Sequence, residues 1–141
     1  MGVLSDTSVW VRHFRRLNHA LVDLLEGDVA LTHPMVSIEL ACGTPPAPRA
    51  QTLHDLELLR QTQQASLREV MAFIEREKLF GLGCGWVDMV LLASTIITPG
   101  AELWTWDRRL AELSERFGVM HRQARHEGFF SSGGLGPGVQ I

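Results

Sequence analysis

The chain has 141 residues, 45% hydrophobic and 21% charged, with a formal net charge of −3. That is an ordinary globular composition, sufficient for one domain with a real core. It argues against a strongly basic nucleic-acid binder, although a local basic face can coexist with an acidic pocket. The two cysteines, Cys42 and Cys84, lie far apart and form no C-x-x-C. Reduced thiols are therefore expected, rather than a zinc knuckle or a disulfide framework. Asp6, Arg12, Arg15 and Arg16 leave no signal-peptide apolar region near the start. The longest apolar run, around MVLLASTII, is shorter than the roughly 20 residues a bilayer crossing needs. A cytoplasmic protein with no membrane association is expected.

In chain order, VLSD reads as a short buried strand. TSVWVRHFRR and LNHALVDLLEG carry apolar residues at three- and four-residue spacings and read as helices, the second ended by Gly27. DVALTH, bounded by Gly27 and Pro34, reads as a second strand. Pro34 suits the first turn of a helix PMVSIELACG that Gly43 ends. After the loop GTPPAP, two polar-faced helices are expected over 48–60 and 64–78. FGLGCG is a glycine-rich break. WVDMVLLASTII, charged only at Asp88, reads as a buried helix. A strand over Leu103–Thr105 follows, then an amphipathic helix DRRLAELSERFG, then a possible last strand VMHR. The ending GFFSSGGLGPGVQI is rich in Gly and Ser and reads as flexible, with two phenylalanines available for a partner contact. Strands alternating with helices imply a parallel sheet covered by helices on both faces, with any site outside the carboxyl ends of the strands.

Of the 16 acidic residues, four stand apart from mixed, solvated patterns. Asp6 and Asp107 follow predicted strands, whereas Glu39 and Asp88 interrupt the two most apolar helices. Each has a plain structural explanation. Asp6 and Asp107 can cap the helices that follow them, and Asp88 can favour a helix N-terminus. Glu39 can pair with an arginine. Together they ask for more, because a buried lone carboxylate is costly and carboxylates about 4 Å apart repel by about 4 kcal/mol at an effective dielectric of 20. A hard divalent cation with oxygen ligands answers that need, and Mg2+ or Mn2+ suits it better than zinc, since no His/Cys set has ligand spacing. His33 is a candidate for lining the crevice or for an ordinary loop histidine. Trp10, Trp86, Trp104 and Trp106 read as core or rim, with base stacking open for Trp106.

The ordered motifs VLSDTSVW, HPMVSIELACG, GLGCGWVDMVLLAS and LWTWDRRL resemble the PIN-domain ribonucleases, and within them the VapC-type toxins of toxin–antitoxin pairs. The resemblance covers about residues 2–121. It implies a PIN-like three-layer α/β/α domain over 1–121, with a central, mostly parallel twisted sheet of four to five strands and a separate tail over 122–141. It also implies an acidic quartet of Asp6, Glu39, Asp88 and Asp107 that binds Mg2+ or Mn2+. Thr7 and Ser8 match the hydroxyl residues after the first aspartate, and Thr105 matches the T-x-D threonine. The expected activity is metal-dependent endoribonuclease cleavage of tRNA or rRNA that inhibits translation. The expected partners are a cognate VapB-type antitoxin and a second copy of the chain. Arg12, Arg15, Arg16, Arg108 and Arg109 are candidates for RNA phosphate contacts or for solvated helix surface. Two alternatives stay open: a PIN-like module that grips RNA or protein without cutting, and a phosphatase with Asp6 as nucleophile. The second is disfavoured because Ser8 stands where a D-x-D pattern needs aspartate.

Overall fold

The computed structural model describes residues 1–123. All but the first two residues of the expected tail lie outside them. The chain opens with strand β1 (Gly2–Ser5), then helices α1 (Thr7–Arg15) and α2 (His19–Glu26). Strand β2 (Ala30–Thr32) is followed by α3 (Pro34–Cys42) and α4 (Arg49–Glu57). A two-residue strand β3 (Arg60–Gln61) leads into α5 (Leu67–Glu77) and α6 (Trp86–Ile97). Strand β4 (Ala101–Trp104) and α7 (Arg108–Arg116) complete the pattern.

The sheet has four strands in the order β3-β2-β1-β4, all paired in parallel. This is the α/β architecture expected from the sequence. The chain steps outward from β1 to β2 to β3, then returns to place β4 on the other side of β1. Right-handed crossovers, the near-universal form, put the helices of the outward steps and of the return on opposite faces. The reversal creates a switch point between β1 and β4, with Ser5 opposite Trp104 at its end. A crevice forms where neighbouring strands diverge to opposite sides, beyond their carboxyl ends.

The core is built as the hydrophobic pattern requires. All four β1 residues are buried, as are Val9 and Trp10 of α1. Helix α6 is buried continuously from Met89 to Thr95, which explains its near-absence of charge. Its two ends differ, since Trp86, Ile96 and Ile97 are exposed.

Four elements depart from the sequence reading. The helix expected to reach residue 60 ends at Glu57, and the exposed pair Arg60–Gln61 forms an edge strand. Two polar residues carry no strand periodicity. Their conformation is set instead by β2, which they pair in the register Leu31↔Arg60 and Thr32↔Gln61. Strand β4 begins at Ala101, ahead of the expected Leu103, and stops before Thr105. VMHR contributes a single parallel bridge, Leu103↔Met120, instead of a full strand. Helix α5 starts at Leu67 instead of 64 because Ser66 and Glu69 form a complete capping box.

Candidate active site

Asp6 lies one residue past β1, and Thr105 and Asp107 lie just past β4. The parallel pairing of those strands therefore delivers all three to one edge, and Asp6 N–H donates to the Trp104 carbonyl across the join (3.0 Å). Asp6 is 5% exposed. Its side chain caps α1, accepting from Val9 N–H at 3.2 Å on Oδ1. The same oxygen accepts from Ser8 Oγ at 2.5 Å, and Oδ2 accepts from Thr105 Oγ1.

Each of these hydroxyls is itself oriented. Ser8 Oγ accepts from Trp106 N–H at 3.0 Å, and Thr105 Oγ1 accepts from Asp107 N–H at 3.0 Å. Two short relays thus run from the backbone after β4, through a hydroxyl, to the two oxygens of Asp6. They favour its ionised form, but burial outweighs them and its pKa lies above the usual aspartate value.

Glu39, on α3, accepts from Thr7 Oγ1 at 2.7 Å. Asp107 caps α7 through Oδ1, accepting from Leu110 N–H at 2.9 Å. Among the described residues, Glu39 Oε2 and Asp107 Oδ2 carry no hydrogen bond. Asp88 sits in the first turn of α6. Its pKa is raised, first by burial and then by the negative charges of Asp107, Asp6 and Glu39, while a hydrogen bond from Gly85 opposes the shift. The quartet read from the sequence therefore faces one shared electrostatic environment.

Burial does not set all four apart, however. Glu39 and Asp107 are exposed, so the cost of burying a carboxylate bears on Asp6 and in part on Asp88 alone. Glu39 interrupts an apolar helix whose outer face also exposes Ile38. Both capping explanations hold as well, for Asp6 and Asp107 alike.

The donor chemistry fits a hard divalent cation. All four groups are carboxylates, and among the described residues none of them enters an ion pair. Among the described residues, though, no three His, Cys, Asp or Glu side chains converge into a ready-made cluster. Helix caps and hydroxyl partners hold Asp6, Glu39 and Asp107, and a backbone hydrogen bond from Gly85 holds Asp88.

The basic residues occupy distinct positions. The Arg12 guanidinium lies over the exposed Trp106 ring, 4.6 Å from its centroid. Arg15 lines a cavity described below. Arg108 pairs with Glu112 one turn on at 3.1 Å, with its side chain 91% exposed. Arg109 folds across the glycine-rich break, donating to the Gly83 carbonyl at 3.4 Å. Gly83 has φ +85, and a Cβ there would stand 2.5 Å from Arg109 Nη1. The Cys84 thiol beside it is pushed up by burial and by Asp88 and Asp107, against the pull of Arg109.

His33 lines no crevice and sits on no loop surface. It is 2% exposed. Its Nδ1 accepts from Met35 N–H at 3.0 Å, capping α3, so the proton resides on Nε2, which faces Ser94 Oγ at 3.1 Å. That partner lies 61 residues away and left no local trace in the sequence. The Trp106–Arg12 contact was likewise unreadable, although both residues were candidates separately.

Among the described residues, no helix is long and apolar enough to cross a membrane. No family model matches the chain. The chain is similar to the curated protein Ribonuclease VapC32 of Mycobacterium tuberculosis, in strains CDC 1551 / Oshkosh and ATCC 25618 / H37Rv. Each is 41% identical over 117 residues, spanning 83% of this chain and 94% of the relative.

Proposed function

This chain belongs to the VapC family of PIN-domain ribonucleases, and on that footing we propose that it is the endoribonuclease toxin of a toxin–antitoxin pair. It cuts tRNA or ribosomal RNA in the cytoplasm, with Mg2+ or Mn2+ held by Asp6, Glu39, Asp88 and Asp107. The observation that carries this reading is the shared field of the quartet. Asp88 is raised first by burial and then by the charges of Asp107, Asp6 and Glu39, and no described cation pairs with any of the four.

A divalent cation bound there supplies positive charge to the scissile phosphate and acidifies the attacking water. The chain's own residues prepare that position. Ser8 and Thr105 each accept a backbone N–H, so each hydroxyl proton is directed at Asp6 and both carboxylate oxygens are fixed. Thr7 fixes Glu39 through Oε1 and leaves Oε2 open. Such supporting groups orient metal ligands and set their basicity. Arg12, held over Trp106, is the first phosphate contact in this reading, with Arg15, Arg108 and Arg109 as further ones. The cognate VapB-type antitoxin covers the crevice, and the toxin works as a homodimer.

The test uses the chain purified free of its antitoxin and incubated with tRNA and rRNA in Mg2+, Mn2+ or EDTA. Cleavage that needs the metal and disappears in Asp6→Asn and Asp88→Asn supports the reading. Cleavage that survives EDTA sinks the metal role, and metal-independent RNA retention without cleavage returns the chain to a binding module.

A further inference from the structure

Beside the quartet, a cavity of about 420 Å³ lies between α1, α3 and the segment that follows α3. Its walls include Val11, Phe14 and Arg15 from α1, and Thr44 and Pro45 after α3. Glu39 lies on its edge and is held from the other side by Thr7, the neighbour of Asp6. Glu39 thus belongs both to the quartet and to the cavity wall.

The geometry points to a nucleobase subsite here: the cavity takes the base of a nucleotide next to the bond that is cut, and so sets sequence preference. This inference rests on the ribonuclease reading and names a part of the substrate that reading leaves open. The volume falls in the range of small-molecule sites, about 300–1,000 Å³. Phe14 packs against Trp10 at a centroid distance of 5.9 Å, so its ring is backed by the core while another part of it meets the cavity. A supported aromatic face beside a cation is how single-stranded nucleic acids are held, with the base on the ring and the phosphate by the charge. Arg15 supplies that charge. Thr44 offers a hydroxyl to a base edge, and Pro45, with its fixed φ, keeps the opposite wall stiff. A purely apolar ligand would use neither Arg15 nor Thr44.

The test has a binding arm and a cleavage arm, both on the full chain without antitoxin. In EDTA, the four nucleoside 5′-monophosphates are titrated while the amide resonances of Phe14 and Thr44 are followed by NMR. At least one nucleotide should shift both. Val11→Phe, which fills the cavity, and Phe14→Leu, which keeps an apolar side chain but removes the ring, should weaken that binding about tenfold. In Mg2+, mapped 5′ ends from a randomised single-stranded RNA should show that both variants flatten base preference at one position flanking the cut. Melting temperatures within a few degrees of the parent would show that the fold is intact.

Amides that respond to no mononucleotide overturn the subsite. So do preferences left unchanged at every position by both variants, or shifts produced only by a segment of a protein partner. Cleavage with untouched preferences removes the subsite and leaves the ribonuclease reading standing. Nucleotide binding in the cavity without metal-dependent cleavage does the reverse.

Discussion

Thr105 donates to Asp6 Oδ2 at 2.5 Å, closing a contact between residues 99 apart in sequence at the ends of two adjacent strands. Because the same hydroxyl accepts from Asp107 N–H, it cannot turn away without leaving one of them unmatched. Thr105→Val keeps the shape and removes both bonds. We expect metal affinity and cleavage to fall about 10–100-fold, and stability to drop by about 1–2 kcal/mol. Thr105→Ser should recover most of both. Titration calorimetry with Mn2+ and urea unfolding check this; an unaffected Mn2+ affinity would make the hydroxyl purely structural.

Asp88→Asn should abolish cleavage yet raise the melting temperature in EDTA by a few degrees, the usual exchange between stability and function. The sign follows from its raised pKa. The folded state disfavours the ionised carboxylate, so stability is lost as pH rises from the unfolded value of 3.8 through the higher folded one. The advantage of Asp88→Asn should therefore shrink as pH is lowered below that folded value. Added Mg2+ should stabilise the parent more than the variant. Differential scanning at several pH values, with and without metal, decides it.

His33 should make the fold acid-sensitive in a different range. Burial lowers its pKa from 6.5, and protonation would place a hydrogen on the Nδ1 that now accepts from Met35. The unfolded chain takes up that proton first, so stability is retained above pH 6.5 and lost as pH falls through 6.5 towards the folded value. His33→Asn keeps a good helix cap and removes the titration. Urea midpoints between pH 7.5 and 5 should fall in the parent more steeply than in the variant, and equal slopes would contradict this role.

Arg12 and Trp106 should act as a pair in RNA binding. Arg12→Ala is expected to weaken binding and reduce the salt slope by about one. Trp106→Ala, which frees Arg12 from its stacking surface, should lower affinity with a smaller effect on the slope. The double variant should be less damaging than the two losses combined. Filter binding across a salt series, using an uncleavable RNA, reads all three.

Much of this was legible in the chain. Asp6 and Asp107 announced themselves because carboxylates end apolar runs there, and Asp88 because it is the single charge in a buried helix. What could not be read was fixed by partners far away in sequence. Arg60–Gln61 are a strand only because β2 lies alongside. His33 is buried because Ser94 waits across the fold, and Ser94 Oγ also accepts from Ala65 N–H. Glu39 was singled out for a partly wrong reason. The apolar composition of its helix suggested burial on all sides, but one face of α3 lies open.

The order of strands also bears on when the protein becomes dangerous. Asp6 leaves the ribosome before its partner Thr105 and the neighbouring Asp107, which come roughly a hundred residues later. At about 5–20 residues per second, that interval lasts on the order of 5–20 seconds. Through all of it β4 has not yet paired with β1, and Asp6 stands without the hydroxyl that orients it. A ribonuclease is thereby kept incomplete while it is still being made, its site closing only when β4 arrives.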